Sequence, residues 1–296
     1  LGYKARIAVV NRGNVYLEND TLPNLEKFNH AIVKAISPSG KTYWIDPTNI
    51  VSMANGIFPD IADRPSLVLD PENPSYERIP PIDHQRAITR YTESITLQDN
   101  GLVKTEGSFS IEGESAKGLT EYINMHHEST VKEGMIKELC NSSDPINPIL
   151  NLSACKTCKV KPITATFSYE ENNVTTLTNL GKAFPLKGSW YKPYIATSQK
   201  DKGALYVGSP HTVIKKRIFK NVSATNLDAL AYSIQTPWVK AKRELSMTKE
   251  GLVVTDTVEI LKTIIPAKDL KSPEFAKLKE TLRQSCEGSA IVFTKP

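Results

Sequence analysis

Cysteine is scarce in this 296-residue chain: there are four, and none comes before Cys140. Any thiol chemistry of the chain alone must therefore use Cys140, Cys155, Cys158 or Cys286. Cys155-Lys156-Thr157-Cys158 is a single CxxC, whereas a zinc ribbon requires a second. A thioredoxin-like site sets its CxxC at a helix start after a strand. Here the motif follows a Pro- and Asn-rich loop and precedes a β-rich run. Cys140, the CxxC and one of His126-His127 would give four ligands at irregular spacing, so no metal is expected. A structural disulfide from Cys140 to Cys155 or Cys158, or buried free thiols, are the remaining readings.

Other absences narrow the function classes. No stretch approaches the roughly 18 apolar residues of a membrane-spanning helix. GxxxxGK[ST], GxSxG and HExxH are all missing, which removes phosphate loops, hydrolase elbows and zincin sites, and no cofactor is expected. The net charge of +5 is spread over 37 basic and 32 acidic residues. Lys215-Lys216-Arg217 is too short a basic block to suggest a nucleic-acid partner and reads as a solvated strand end. The cluster Trp190-Tyr191-Lys192-Pro193-Tyr194 has the composition of a groove lining, but large aromatics are more often packed inside.

With 40% hydrophobic residues the chain can bury a large core, and its length favours two domains. The paired prolines of Ile79-Pro80-Pro81 divide it into residues 1–82 and 83–296. Strands are expected at Ala5–Val10, Ala31–Ile36, Lys41–Ile45 and Ser66–Leu69. Beyond Asp83 they are expected at Arg86–Leu97, Leu102–Ile111 and Ile163–Tyr169, then Ala204–Val207, Val213–Asn221 and Ala229–Ile234, and finally Ala241–Met247, Leu252–Leu261 and Ser289–Thr294. Helical spacing of Leu119, Tyr122, Ile123, Val131, Met135, Ile136 and Leu139 predicts one long helix over Ala116–Leu139. A second is expected over Ser272–Ser285, where Ser272-Pro273-Glu274 supplies an N-cap, a proline at the first position and an early acid. Asn141–Cys158 reads as irregular loop. The fold class is α+β, mostly antiparallel.

The densest signal lies in Phe28-Asn29-His30-Ala31-Ile32-Val33, Ser37-Pro38-Ser39-Gly40 and Tyr43-Trp44-Ile45-Asp46-Pro47-Thr48. It reads as a β-hairpin with a histidine at its start and an aspartate at its end. An odd-numbered loop, such as Ser37–Ser39 or Ile36–Gly40, sets His30 directly opposite Asp46, and a two-residue loop sets them on opposite faces. Gly40 favours the odd loop, which often ends in a left-handed glycine. A carboxylate beside an imidazole fixes its tautomer and stabilises the protonated ring, which is the basic half of a nucleophilic triad. On spacing alone, His30 as an edge residue and Asp46-Pro47-Thr48 as the opening of a turn is the favoured reading.

F-N-H-A-I-V followed by G-K-T-Y-W-I-D-P-T resembles the His and Asp motifs of the transglutaminase-like superfamily, among the papain-like cysteine enzymes. More narrowly it resembles bacterial proteins in which a DUF3857 domain precedes the transglutaminase-like domain. Leu1–Ile7 resembles the strand entered after the helix that bears the nucleophilic cysteine, and Asp63–Leu69 the stretch that leaves the core. The likeness covers Leu1 to about Pro81 well and the rest more faintly, Leu252–Phe293 following the closing strand, helix and strand. It implies His30 as acid/base and Asp46 as orienter of a Cys-His-Asp triad. It also implies that 1–82 is the C-terminal part of a papain-like core, followed by a β-rich, sandwich-like domain with two helices.

In that family the cysteine precedes the histidine, so the likeness implies a nucleophile ahead of Leu1. The chain is then expected to be a fragment, inactive alone, whose missing N-terminal part is its first partner. Acyl transfer or hydrolysis of a protein or peptide substrate would follow. The rival reading is a non-catalytic β-rich binding or scaffold module of the bacterial cell envelope. Both place the protein at the periplasm, envelope or exterior, with the cytoplasm as the alternative.

Overall fold

The computed structural model describes residues 2–12, 28–48, 57–58, 60–98, 100–141, 144–153, 162–186, 188–197, 203–224 and 226–294. The first five strands are β1 (Lys4–Val10), β2 (His30–Ile36), β3 (Thr42–Ile45), β4 (Pro65–Leu69) and β5 (Ser75–Arg78). They form one sheet in the order β3-β2-β1-β4-β5, with every neighbouring pair antiparallel. Strand alternation gives it a buried side, where Ala8, Val10, Ile32, Trp44 and Val68 pack with Phe58, Ile61 and Ile79. Ile7, one step out of phase in β1, is exposed.

The chain continues through β6 (Ile88–Leu97), β7 (Val103–Ile111), α1 (Ser115–Met125), α2 (Glu128–Leu139), β8 (Ile146–Ser153) and β9 (Ile163–Glu171). Then come β10 (Thr176–Thr178), β11 (Gly181–Pro185), α3 (Lys192–Ala196), β12 (Leu205–Tyr206), β13 (His211–Lys220) and β14 (Ser223–Ala224). The last elements are α4 (Leu227–Leu230), β15 (Tyr232–Gln235), β16 (Val239–Thr248), β17 (Gly251–Ile260), β18 (Ile264–Ile265), α5 (Ala267–Leu270), α6 (Pro273–Cys286) and β19 (Ala290–Thr294).

Eight of these strands make a second sheet, β15-β16-β17-β13-β6-β7-β9-β8, antiparallel except where β13 meets β6. Its covered face carries three apolar clusters. Phe109, Ala165 and Phe167 pack under α1 and α2. Ile95, Phe219 and Leu252 pack under Phe184 and Phe293 of the sheet β10-β11-β19-β14. Ala241, Val258 and Ile260 pack under α6 and Tyr194 of α3. A mostly antiparallel α+β fold is therefore observed, with one face of the large sheet left to solvent-facing Thr, Ser, Lys and Arg side chains.

Three sequence expectations are corrected. The single helix over 116–139 is two: His126 leaves helical geometry (φ −122°, ψ 157°), and His127 caps α2 by accepting from the Ser129 N–H. Gly134 sits where the helices cross, since a Cβ there would lie 2.9 Å from the Tyr122 hydroxyl. The expected loop 141–158 contains strand β8, whose ladder with β9 is interrupted between Ile146 and Ile149, where Asn147 adopts φ 47°. The expected strand 229–234 begins as helix α4 and becomes strand only at Tyr232. β5, β10, β11, β14 and β18 were not expected at all. Six helices are present among the described residues, three of them short, where two were expected. Ser272 caps α6 as anticipated, accepting from the Phe275 N–H at 3.1 Å.

Candidate functional site

The site grows from the β1–β2–β3 meander. Val10, at the end of β1, stands opposite His30, the first residue of β2. Asn29 ties the following residue down: its carboxamide oxygen accepts from the Arg12 N–H at 2.7 Å and its amide donates to the Arg12 carbonyl at 3.0 Å. At the far end of β2 the loop has five residues, Ser37–Lys41, closed by Ser37 N–H to the Lys41 carbonyl at 2.9 Å. Gly40 occupies φ 82°, the left-handed conformation that makes this loop possible.

The loop is odd, but it is centred one residue later than expected. Ile36 pairs with Thr42 and Val33 with Ile45, so by extension Ile32 faces Asp46 and His30 faces Thr48. Direct opposition of His30 and Asp46 is thus corrected to a diagonal relation on the same face. A diagonal pair is about 7–8 Å apart at Cα, within reach of longer side chains. Here they meet: His30 Nε2 lies 2.9 Å from Asp46 Oδ2.

The carboxylate of Asp46 is fully buried, and the His30 side chain is 16% exposed. Asp46 Oδ1 accepts from the Thr48 hydroxyl at 2.7 Å and the Thr48 N–H at 3.1 Å. Burial pushes this carboxyl upward, but the Thr48 and His30 hydrogen bonds outweigh it and hold Asp46 below its ordinary 3.8. Asp46 is therefore ionised at neutral pH and accepts the Nε2–H of His30. That assignment leaves the Nδ1 lone pair available, and Nδ1 makes no hydrogen bond among the described residues.

Arg12 completes the cluster and was not anticipated. Its Nη1 is 3.3 Å from Asp46 Oδ2 and 3.4 Å from His30 Nε2, and its Nε pairs with Asp60. Since His30 Nε2 donates to Asp46, the Arg12 contact with the ring is a close cation and not a hydrogen bond. The guanidinium also stands 5.8 Å from the centre of the Phe58 ring. Lys117 of α1 approaches the same ring at 4.2 Å. It is buried, its Nζ has no hydrogen-bond partner among the described residues, and burial pushes it down to about 8 against the pull of Glu114, Asp60 and Asp46. The only sequence hint was an arginine just past an apolar strand; Lys117 reads as any helical surface lysine.

The thiols lie elsewhere. Cys140 and Cys286 are free and line a cavity whose walls include neither His30 nor Asp46. The disulfide considered for Cys140 is therefore not formed. Burial and Glu171 push the Cys140 thiol up to about 12, and burial raises Cys286. Both are poor nucleophiles at neutral pH. Cys155, Cys158 and their CxxC lie outside the described residues. No group of three metal-binding side chains gathers among the described residues, and no described helix is long and apolar enough to cross a membrane. Of the aromatic cluster at 190–194, Tyr191 and Tyr194 are core residues. His126 and His127 are exposed.

No known protein family matches this chain, and no curated protein does. Among solved structures, one candidate protease from Parabacteroides distasonis superposes with a TM-score of 0.44 at 10% identity. The match spans 99% of this chain and 40% of that one. A likeness this loose fixes neither family nor activity.

Proposed function

We propose that His30 and Asp46 are the acid/base and orienting members of a thiol-enzyme triad of the transglutaminase-like kind, whose cysteine is supplied from outside these 296 residues. The observation that carries this reading is the 2.9 Å contact between His30 Nε2 and a buried, ionised Asp46. It gives the imidazole a fixed orientation and an unengaged Nδ1. A thiol placed at Nδ1 would lose its proton to the ring, forming a thiolate–imidazolium pair. The thiolate would attack an acyl carbon, and His30 would return the proton to the departing amine. Arg12 adds a second donor to the Asp46 oxygen that His30 uses.

In this reading residues 1–82 carry the reacting groups and residues 83–296 form a β-rich unit that positions a protein or peptide substrate at the cell envelope. The test is a chain extended by the residues that precede Leu1 in its coding sequence. One cysteine in that extension should be alkylated by iodoacetamide at neutral pH, and at least tenfold more slowly after His30→Ala. Absence of a cysteine there, or an unchanged rate, contradicts the reading and favours the non-catalytic scaffold.

A further inference from the structure

The covered face of the eight-stranded sheet is mostly apolar but carries a row of charged side chains across β16, β17, β13 and β6. Arg243 on β16 stands opposite Asp256 on β17, and Asp256 opposite Lys215 on β13. Two residues along β13, Arg217 stands opposite Glu93 on β6. Arg243 Nε and Arg217 Nη1 donate to the two oxygens of Asp256 at 2.7 and 2.9 Å. Glu93 holds Lys215 Nζ at 2.7 Å and Arg217 Nε at 3.4 Å. Glu93, Arg217 and Arg243 are all less than a tenth exposed. Removing charges from water costs about as much as pairing returns, and apolar replacements of equal volume often hold a core as well or better. Stability alone does not account for this row.

The row lies where the three apolar clusters stop short of one another, and the gap is a cavity of about 490 Å³. That is within the roughly 300–1,000 Å³ of small-molecule sites. Glu93, Lys215 and Arg217 form its charged floor, Phe184, Leu186 and Tyr191 its apolar wall, and the exposed Glu138 and Lys192 stand at its mouth. Lys192, Lys215 and Arg217 against Glu93 and Glu138 leave the lining with one net positive charge. Burial and the neighbouring Arg217 push the Lys215 ammonium down, with Glu93 opposing. An anion beside Lys215 would offset both by favouring the charged ammonium.

We infer that this cavity binds a small organic monocarboxylate with an apolar body, its carboxylate on Lys215 and its body against Phe184, Leu186 and Tyr191. The site stands apart from His30 and Asp46 and does not depend on their role. Calorimetric titration of the whole chain with benzoate, and with its neutral isostere benzamide, tests it. Benzoate should bind saturably and at least tenfold more tightly than benzamide, and should shift the backbone amide resonances of Gly188 and Gly288, which line the cavity. Lys215→Met should weaken benzoate at least tenfold. Should that variant not fold, Lys192→Met at the exposed mouth replaces it, with a two- to fivefold weakening expected. Absence of benzoate binding, equal affinity for benzamide, inorganic phosphate binding as tightly as benzoate, amide shifts confined elsewhere, or unaltered affinity in a folded variant would each overturn the inference.

Discussion

At the scale of single residues, Asp46 is the pivot. A buried carboxylate needs compensation for lost water, and it receives four contacts: the Thr48 hydroxyl and N–H on one oxygen, His30 and Arg12 on the other. A hydrogen bond to a charged group contributes about 1.5–3 kcal/mol, and its loss leaves part of that charge unsatisfied. Thr48→Val removes the shortest of the four while keeping shape, and should cost about 1.5–3 kcal/mol in denaturant unfolding. A change within a few tenths of a kcal/mol would show that solvent already carries that oxygen. His30 and Asp46 were legible from the sequence because both sit at the ends of a short hairpin. Arg12 and Asp60 were not, because their approach depends on chain segments with no local pattern to betray it.

At the scale of elements, the hairpin loop decides whether the two residues meet. Side chains alternate faces, so a change of one residue in loop length sends Asp46 to the other side of the sheet. The sequence carried the parity of the loop through Gly40 but not its centre. The one-residue shift of the centre was lost because Lys41, which closes the loop with Ser37, reads equally well as strand. Gly40→Ala forces a Cβ into φ 82° with nothing nearby to clash, so the cost is conformational only. It should destabilise the chain by about 1–2 kcal/mol without displacing His30 from Asp46; chemical denaturation measures the first and the amide spectrum of β2 and β3 the second. Elsewhere local signals misled for identifiable reasons. His126 and His127 carry no helix-breaking signature, yet one ends α1 and the other caps α2. Asn147-Pro148 disguises β8, because the strand absorbs the pair at an interruption of its ladder.

At the scale of the whole molecule, Lys117 links the two sheets by reaching from α1 to Phe58 beside Arg12. Its ammonium is held at about 8 in the folded chain against an ordinary 10.5. Between those values the unfolded chain binds more protons than the folded one, so this residue makes stability rise with pH from about 8 toward 10.5. Below about 8 the folded state bears the full cost of a buried charge. The gap between the native chain and Lys117→Met should therefore move in favour of the native chain as pH rises from 8 to 10. Stability curves at pH 7, 8, 9 and 10 measure it, and a gap independent of pH would mean that Lys117 reaches water. None of this was legible in the sequence, since the contact joins residues far apart in the chain.

The central claim is that Asp46 holds His30 with its proton on Nε2 and leaves Nδ1 open to a thiol. Imidazole ¹⁵N resonances of His30, recorded where the ring is neutral, test it most directly. The native chain should show a protonated, pyrrole-type Nε2 and an unprotonated, pyridine-type Nδ1. In Asp46→Asn the two Thr48 donors keep the carboxamide oxygen and turn its NH₂ toward Nε2, so the pattern should invert. A native chain with the proton on Nδ1, or a pattern unmoved by Asp46→Asn, would contradict the account.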